Sequence, residues 1–242
     1  MTYWDSELFL NPDTASSRPL VASSACLLGE AVRYDGGHKY QANIETLLSS
    51  QLQLEAVCPE VGIGMGVPRP TLEGISTSEG VRIVLSADYS VDLTPALTDY
   101  GQQYSSKCGP FWPICAWIFK ARSPSCAVAS LPVDKHLNEK KTADGAFAAS
   151  IAADLPWLLR VDEEELQNRE GCEDLLLLSF ICRDIVWRLP QSPLEELTSH
   201  YGELLGSLDR HSNALDLWRE VCEQLRRDNE KRRELIAQFR AA

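Results

Sequence analysis

No stretch of this 242-residue chain reaches the ~18 consecutive apolar residues that suggest a membrane-spanning helix, the longest candidate being Leu175–Ile181. The N-terminus, Met1–Ser16, lacks the basic flank of a secretory signal and carries Asp5, Glu7 and Asp13 instead. Both absences point to the cytoplasm and to no membrane partner, in a compartment where disulfides are rare. Basic residues are scarce as well: 23 Lys and Arg face 35 Asp and Glu, a net charge of −12. That balance opposes non-specific binding to nucleic acid, which depends on Lys and Arg releasing counterions from phosphates. A local patch stays open, because Arg33, Lys39, Arg69, Lys107, Lys120 and Arg122 lie in the first half, while much acid sits in Asp162–Glu165 and the C-terminal third. Transfer RNA therefore ranks as a minority partner. Internal repeats and low-complexity segments are also missing. Gly62, Gly64 and Gly66 have neither the spacing nor the following helix of a dinucleotide fingerprint.

An apolar fraction of 44% supplies a core, and the length allows one large domain with an appendage or two small domains. Met1–Arg18 is polar and reads as an arm. From Pro19 to about Arg169, strand and helix patterns alternate as in an α/β layer fold. Strands are expected at Leu20–Ser24, Gln53–Val57, Val81–Ser86, Cys115–Lys120 and Leu158–Val161. Helices are expected at Ala42–Ser50, at Thr94–Lys107 with Thr94 as cap and Pro95 at the first helical position, and at Gly145–Leu155. Pro59–Gly74 reads as a long loop, a length that is usually functional or mobile. Leu131–Asp144 reads as a second, polar loop. Beyond that, Leu175–Trp187 reads as a buried helix. Leu194–Leu208 and Ala214–Phe239 show the i, i+3, i+4 apolar spacing of a helical hairpin. The expected fold is a three-layer α/β domain with a mostly parallel sheet and helices on both faces, plus a C-terminal helical subdomain. Its expected boundaries are 1–18, 19–168 and 169–242.

Three cysteines each follow one of the short apolar runs: Cys26, Cys58 and Cys126. The carboxyl ends of strands in an open parallel sheet face one crevice, where ligands bind. Thiols far apart in sequence can therefore meet there. Three thiolates suit a soft metal centre and leave one metal position open for chemistry. The alternative for any one of them is a small, buried, apolar thiol, and Cys108, Cys115, Cys172, Cys182 and Cys222 take that reading.

The surrounding motifs are Ser24-Ala-Cys-Leu-Leu-Gly29, Val32-Arg-Tyr-Asp-Gly-Gly-His-Lys39, Cys58-Pro-Glu-Val61, Gly64-Met-Gly-Val-Pro-Arg69 and Lys120-Ala-Arg-Ser-Pro-Ser-Cys126, followed by Asp144-Gly-Ala-Phe-Ala148. In this order, over about residues 19–168, they resemble the thiouracil desulfurase (TudS) family. Ala127 departs from the pattern, since the family generally has glycine there. The resemblance implies an oxygen-sensitive [4Fe–4S] cluster held by Cys26, Cys58 and Cys126. Its fourth iron would be open to the sulfur of a small thiolated pyrimidine. That sulfur would leave as sulfide while water supplies oxygen.

Within that frame Glu60 stands two residues from Cys58 and is expected to activate water and manage a proton, a task suited to a partly desolvated carboxylate. The bland alternative is a solvated loop glutamate. Ser123 can donate a hydrogen bond to substrate, or merely shape the turn beside Pro124; Ser125 binds substrate or caps the same loop. Arg33, Asp35, His38 and Lys39 flank Gly36-Gly37. That double glycine is first a turn signal, and its N–H groups could also receive an anion such as a nucleotide phosphate. Arg69 binds substrate or pairs with a carboxylate. Two other functions compete: a desulfidase of thiolated tRNA, and a non-catalytic iron–sulfur sensor signalling through the helical tail. A homodimer is left open.

Overall fold

The computed structural model describes residues 18–108, 114–134, 141–155 and 158–188. In chain order the strands are β1 (Leu20–Ser24), β2 (Gln53–Val57), β3 (Leu72–Thr77), β4 (Gly80–Leu85), β5 (Asp88–Asp92), β6 (Ile114–Phe119), β7 (Leu131–Val133), β8 (Lys141–Ala143) and β9 (Leu159–Asp162). The helices are α1 (Pro59–Gly62), α2 (Thr94–Lys107), α3 (Ala146–Asp154) and α4 (Arg169–Arg188). Residues 1–183 form one compact unit and 184–242 a second.

Strands β2-β1-β6-β9 form a parallel sheet in that order. Its central strands are buried on both faces, which is why β1 and β6 read as unbroken apolar runs rather than alternating ones. One face packs Val21, Ala116, Ile118 and Val161 against Ile44, Leu48 and the α4 residues Cys172, Leu175, Leu176 and Phe180. On β6 the alternate residue Trp117 faces the other way. It meets Tyr104 of α2 at 4.9 Å and Phe147 of α3 at 5.2 Å between ring centroids, both edge-on. Helices on both faces of a parallel sheet make the three layers that the sequence predicts.

The helix expected at Ala42–Ser50 is mostly a π-helical turn, Ile44–Leu48. Helix α2 matches its expected span, but Thr94 does not cap it. Leu93 holds the cap position, and the Thr94 hydroxyl instead donates to Asp92 Oδ1 at 2.6 Å and accepts from Ile83 N at 2.7 Å. Two expected loops are corrected. Pro59–Gly74 contains the single turn α1 and the start of β3, and Leu131–Asp144 contains the antiparallel pair β7 and β8. Both belong to a second, mixed sheet, β5-β4-β3-β7-β8. Three-residue strands are too short to show alternation, and β7 contacts β3 through Gly74 and Val133, far apart in sequence. This sheet covers its own core of Leu72, Ile83, Leu97, Leu131, Val133 and Ala146.

The expected boundary at 168/169 coincides with the start of α4, which shares the main core up to Phe180. The N-terminal arm and the helices expected at Leu194–Leu208 and Ala214–Phe239 lie outside the described residues, as does Cys222. No helix among the described residues is long and apolar enough to cross a membrane.

Helices α2 and α3 touch where a side chain is missing. A Cβ built on Gly101 would stand 2.7 Å from Ser150 Cβ. Gly101→Leu is therefore expected to lower the melting temperature, with an overpacking cost of about 1–3 kcal/mol. An unchanged transition in thermal unfolding would contradict this close approach.

Candidate active site

Three strands of the parallel sheet end in cysteine-bearing turns. After β1, Cys26 lies in the tight turn Ala25–Leu28, closed by Gly29 at φ 92°. After β2, the extended Cys58 stands at the N-terminus of α1, and its carbonyl accepts from Gly62 N at 2.9 Å. After β6 comes the turn Lys120–Cys126, in which Arg122 takes a positive φ of 59°. The chain runs from β1 to its neighbour β2 and then crosses to the far side of β1 to form β6. The carboxyl ends of β1 and β6 thus bound the point where strand order reverses, the usual place for a ligand crevice. A hydrogen bond from Lys120 N to Ser24 Oγ, 3.0 Å, ties those two ends together.

There a cavity of about 580 Å³ opens, lined by all three cysteines together with Ser24, Glu60 and Ser123. Cys126 is buried, while Cys26 and Cys58 are partly so, and none forms a disulfide. Burial pushes the Cys26 thiol up to about 11, against the pull of Arg33, with Cys58 adding to the rise. Cys58 is also raised by burial, opposed by the Val61 N–H, with Glu60 raising it further and Arg69 lowering it. Cys126 rises furthest above the ordinary thiol value, again through burial; the Ser24 hydroxyl opposes this, while Glu60, Cys26 and Cys58 reinforce it. At neutral pH the free thiols keep their protons. Binding of a metal group as thiolates must release them, so loading is favoured as pH rises and opposed as it falls.

Among the described residues, no set of three or more His, Cys, Asp or Glu side chains is placed to hold a metal ion. The three thiols line one cavity.

Glu60 is held at both oxygens. Arg69 Nε donates to Oε2 at 2.6 Å, and Ser125 Oγ donates to Oε1 at 2.9 Å. The Arg69 and Glu60 side chains are only 4% and 14% exposed, which makes this a buried ion pair rather than a solvated glutamate. Ser123 lines the cavity, and its Oγ accepts from Ser125 N at 3.3 Å and Cys126 N at 3.2 Å. Its two acceptor sites are filled, so its own proton remains to be donated. Arg33, Lys39 and Arg69 line the cavity too. His38 is exposed, its Nδ1 accepts from Tyr40 N at 3.2 Å, and it is not part of the cavity wall. Ser125 is fully buried behind Glu60.

Several contributors escape the sequence reading. Ser24 and Lys120 are one. Glu163, counted with an acidic stretch away from the site, is another: it is buried, pairs with Lys120 Nζ and accepts from Ala121 N at 2.5 Å through Oε2. Lys120 and Glu163 lie 43 positions apart, a pairing with no local pattern to announce it. Helix α3 is a third. The N–H groups at a helix start have no partner within the helix. Here Ala146 N donates to Pro124 O at 3.1 Å and Ala148 N to Ser125 O at 3.1 Å, so the helix start grips the Cys126 turn. Asp144 anchors the approach, accepting from Ala129 N at 2.6 Å and Arg160 Nη1 at 3.2 Å.

The sequence profile of 2-thiouracil desulfurase matches residues 21–164, from β1 to just past β9 and across all three cavity cysteines. Among solved structures the chain is similar to a "[4Fe-4S]-dependent thiouracil desulfidase TudS", at 26% identity and a TM-score of 0.51, covering 62% of this chain and 93% of that one. No curated protein matches the chain.

Gly145 leaves no room for a side chain: a Cβ would stand 2.4 Å from Ser125 C and 2.7 Å from Cys126 N. Backbone cannot give way as a flexible side chain can. Gly145→Val is expected to displace the Cys126 turn and reduce metal bound after anaerobic reconstitution by at least half. Wild-type metal content in a folded Gly145→Val protein would show that the turn is not held this way.

Proposed function

The chain belongs to the 2-thiouracil desulfurase family, and from that premise we propose that it removes the sulfur of a small thiolated pyrimidine, a thiouracil base or its nucleoside or nucleotide, as sulfide. The observation that carries this reading is the meeting of three free thiols, a held carboxylate and a hydroxyl donor on one cavity at the switch point of the sheet. The donor set fits a [4Fe–4S] group. Its ligands are soft sulfur atoms, as such clusters require. Their presence on one cavity suits thiolates that would share such a group. Cys26, Cys58 and Cys126 would hold it, leaving one iron without a protein ligand.

When bound, that group would supply a Lewis acid for the departing sulfur. The remaining work falls to the chain. The net change, C=S plus water giving C=O plus hydrogen sulfide, transfers no electrons, but water must lose protons and sulfur must gain them. In this reading Glu60 carries the proton: it faces the cavity, and its unoccupied lone pairs can accept from water. Ser123 orients the ring by donating its free O–H to a substrate heteroatom. Arg33 and Lys39 give the rim a positive character that suits an anionic substituent. The desulfurase domain in this account is 19–168, and the substrate is small rather than tRNA, in keeping with the net charge of −12.

Substitution separates these roles. Cys26→Ala, Cys58→Ala and Cys126→Ala are each expected to lose colour and sulfide release together. Glu60→Gln keeps side-chain size but not the proton-accepting charge. It should retain colour and lose ~10²–10⁴-fold in turnover, the usual contribution of general acid–base groups. Cys182→Ala, on α4 in the core, serves as a control that keeps both. Sulfide release from 2-thiouracil by anaerobically prepared protein is the assay. Near-full turnover in iron-loaded Glu60→Gln would defeat this assignment, whereas iron-loaded wild type that releases no sulfide would favour the sensor.

A further inference from the structure

Sequence reasoning leaves Arg69 between substrate and a carboxylate partner, and Ser125 between substrate and a loop cap. We infer that Arg69 and Ser125 are positioning residues that clamp Glu60, one on each carboxylate oxygen, and that neither binds substrate. The inference rests on the proposed role of Glu60. Arg69 Nε and Ser125 Oγ account for Oε2 and Oε1 at 2.6 and 2.9 Å. Ser125 is fully buried and is not part of the cavity wall, so no ligand can reach its hydroxyl while Glu60 occupies it. Arg69 does border the cavity, but its side chain is 4% exposed and its other nitrogens are also engaged: Nη1 donates to Gly66 O at 3.3 Å and Nη2 approaches Cys58 Sγ at 3.9 Å. Its backbone N–H donates to Tyr34 O at 2.9 Å. Arg69 thus fixes the carboxylate relative to Cys58 and joins the loop after α1 to the loop that carries Arg33.

A two-point clamp removes rotation about the terminal carboxylate bond, which is otherwise broad. It therefore sets which lone pairs of Glu60 face the cavity. Charge-assisted hydrogen bonds of this length are the strong kind, and the guanidinium plane gives them direction. Lysine offers the charge without that geometry.

The test is a double-mutant cycle on iron-loaded, anaerobic full-length protein, with 2-thiouracil as substrate. Arg69→Gln is expected to lower kcat by roughly 10–100-fold, the scale of a misplaced catalytic group, and Ser125→Ala by about tenfold. KM, and the dissociation constant for 2-thiouracil measured directly, should stay within about twofold of wild type, since non-contacting sites leave binding energies nearly additive. Arg69→Lys should recover part of the loss. In the Glu60→Gln background, neither Arg69→Gln nor Ser125→Ala should cost anything further, because a residue that acts only through Glu60 has nothing left to position. Losses that multiply in that background, or a dissociation constant raised tenfold with kcat kept, would overturn the inference and leave the Glu60 assignment standing. Full turnover in Glu60→Gln alone would instead remove the assignment on which the inference rests. If Arg69→Gln fails to fold or to load iron, the Ser125→Ala arm of the cycle decides by the same criteria.

Discussion

Three thiols and one carboxylate share a single desolvated end of a parallel sheet, where each negative charge makes the next harder to sustain. Burial is the largest cause of the raised values at Cys26, Cys58 and Cys126, with Cys58 adding to the rise at Cys26, Glu60 to that at Cys58, and Glu60, Cys26 and Cys58 to that at Cys126. An uncompensated buried charge is costly, and much of the surrounding structure answers that cost. Arg69 is spent on Glu60 and Cys58, while Arg33 and Lys120 act on Cys26. The Ser24 hydroxyl reaches Cys126 while its oxygen receives the Lys120 N–H. Lys120 would in turn add a buried cation, and Glu163 neutralises it from the end of β9. The site is therefore a network of compensations, in which removing one partner exposes the charge of another.

Geometry is enforced by backbone as much as by charge. Adjacent parallel strands bring their carboxyl ends together, and the crossover after β2 opens the crevice between β1 and β6. The Cys126 turn cannot drift, because α3 begins on its carbonyls and Gly145 lies against its backbone. This gives a physical reason for the sequence Asp144-Gly-Ala-Phe-Ala148: Asp144 binds the approach, Gly145 allows contact, and Phe147 locks α3 against Trp117.

Strands β1 and β6 were legible because double burial writes itself as a short, largely apolar run, whereas the edge strand β2 carries Gln53 and Glu55 and buries only Val57. Helix α2 was legible through Thr94-Pro95, although the polar group that actually meets its first N–H is Asp92, whose Oδ1 accepts from Thr94 N at 2.9 Å. Of the second sheet only β4 was legible, as the strand expected at Val81–Ser86. Strands β7 and β8 have three residues each, and β5 is mostly exposed and polar. At the site, residue types near the cysteines pointed to Glu60 and Ser123, which the fold brings to the same cavity. Sequence offered Arg69 a carboxylate partner without saying which; what it could not supply was pairing at a distance, Ser125 with Glu60 across 65 positions and Lys120 with Glu163 across 43. His38, expected among the substrate contacts, stands outside the cavity wall. Its neighbours Arg33 and Lys39 line the cavity, but the turn leaves the imidazole bound to its own loop.

The central claim is that Cys26, Cys58 and Cys126 hold an iron–sulfur cluster rather than a single ion. Metal and acid-labile sulfide analysis of anaerobically purified and reconstituted protein tests it most directly. The account predicts brown protein with about four iron and about four sulfide per chain. Colourless protein that binds stoichiometric zinc and takes up no iron under the same conditions would contradict it.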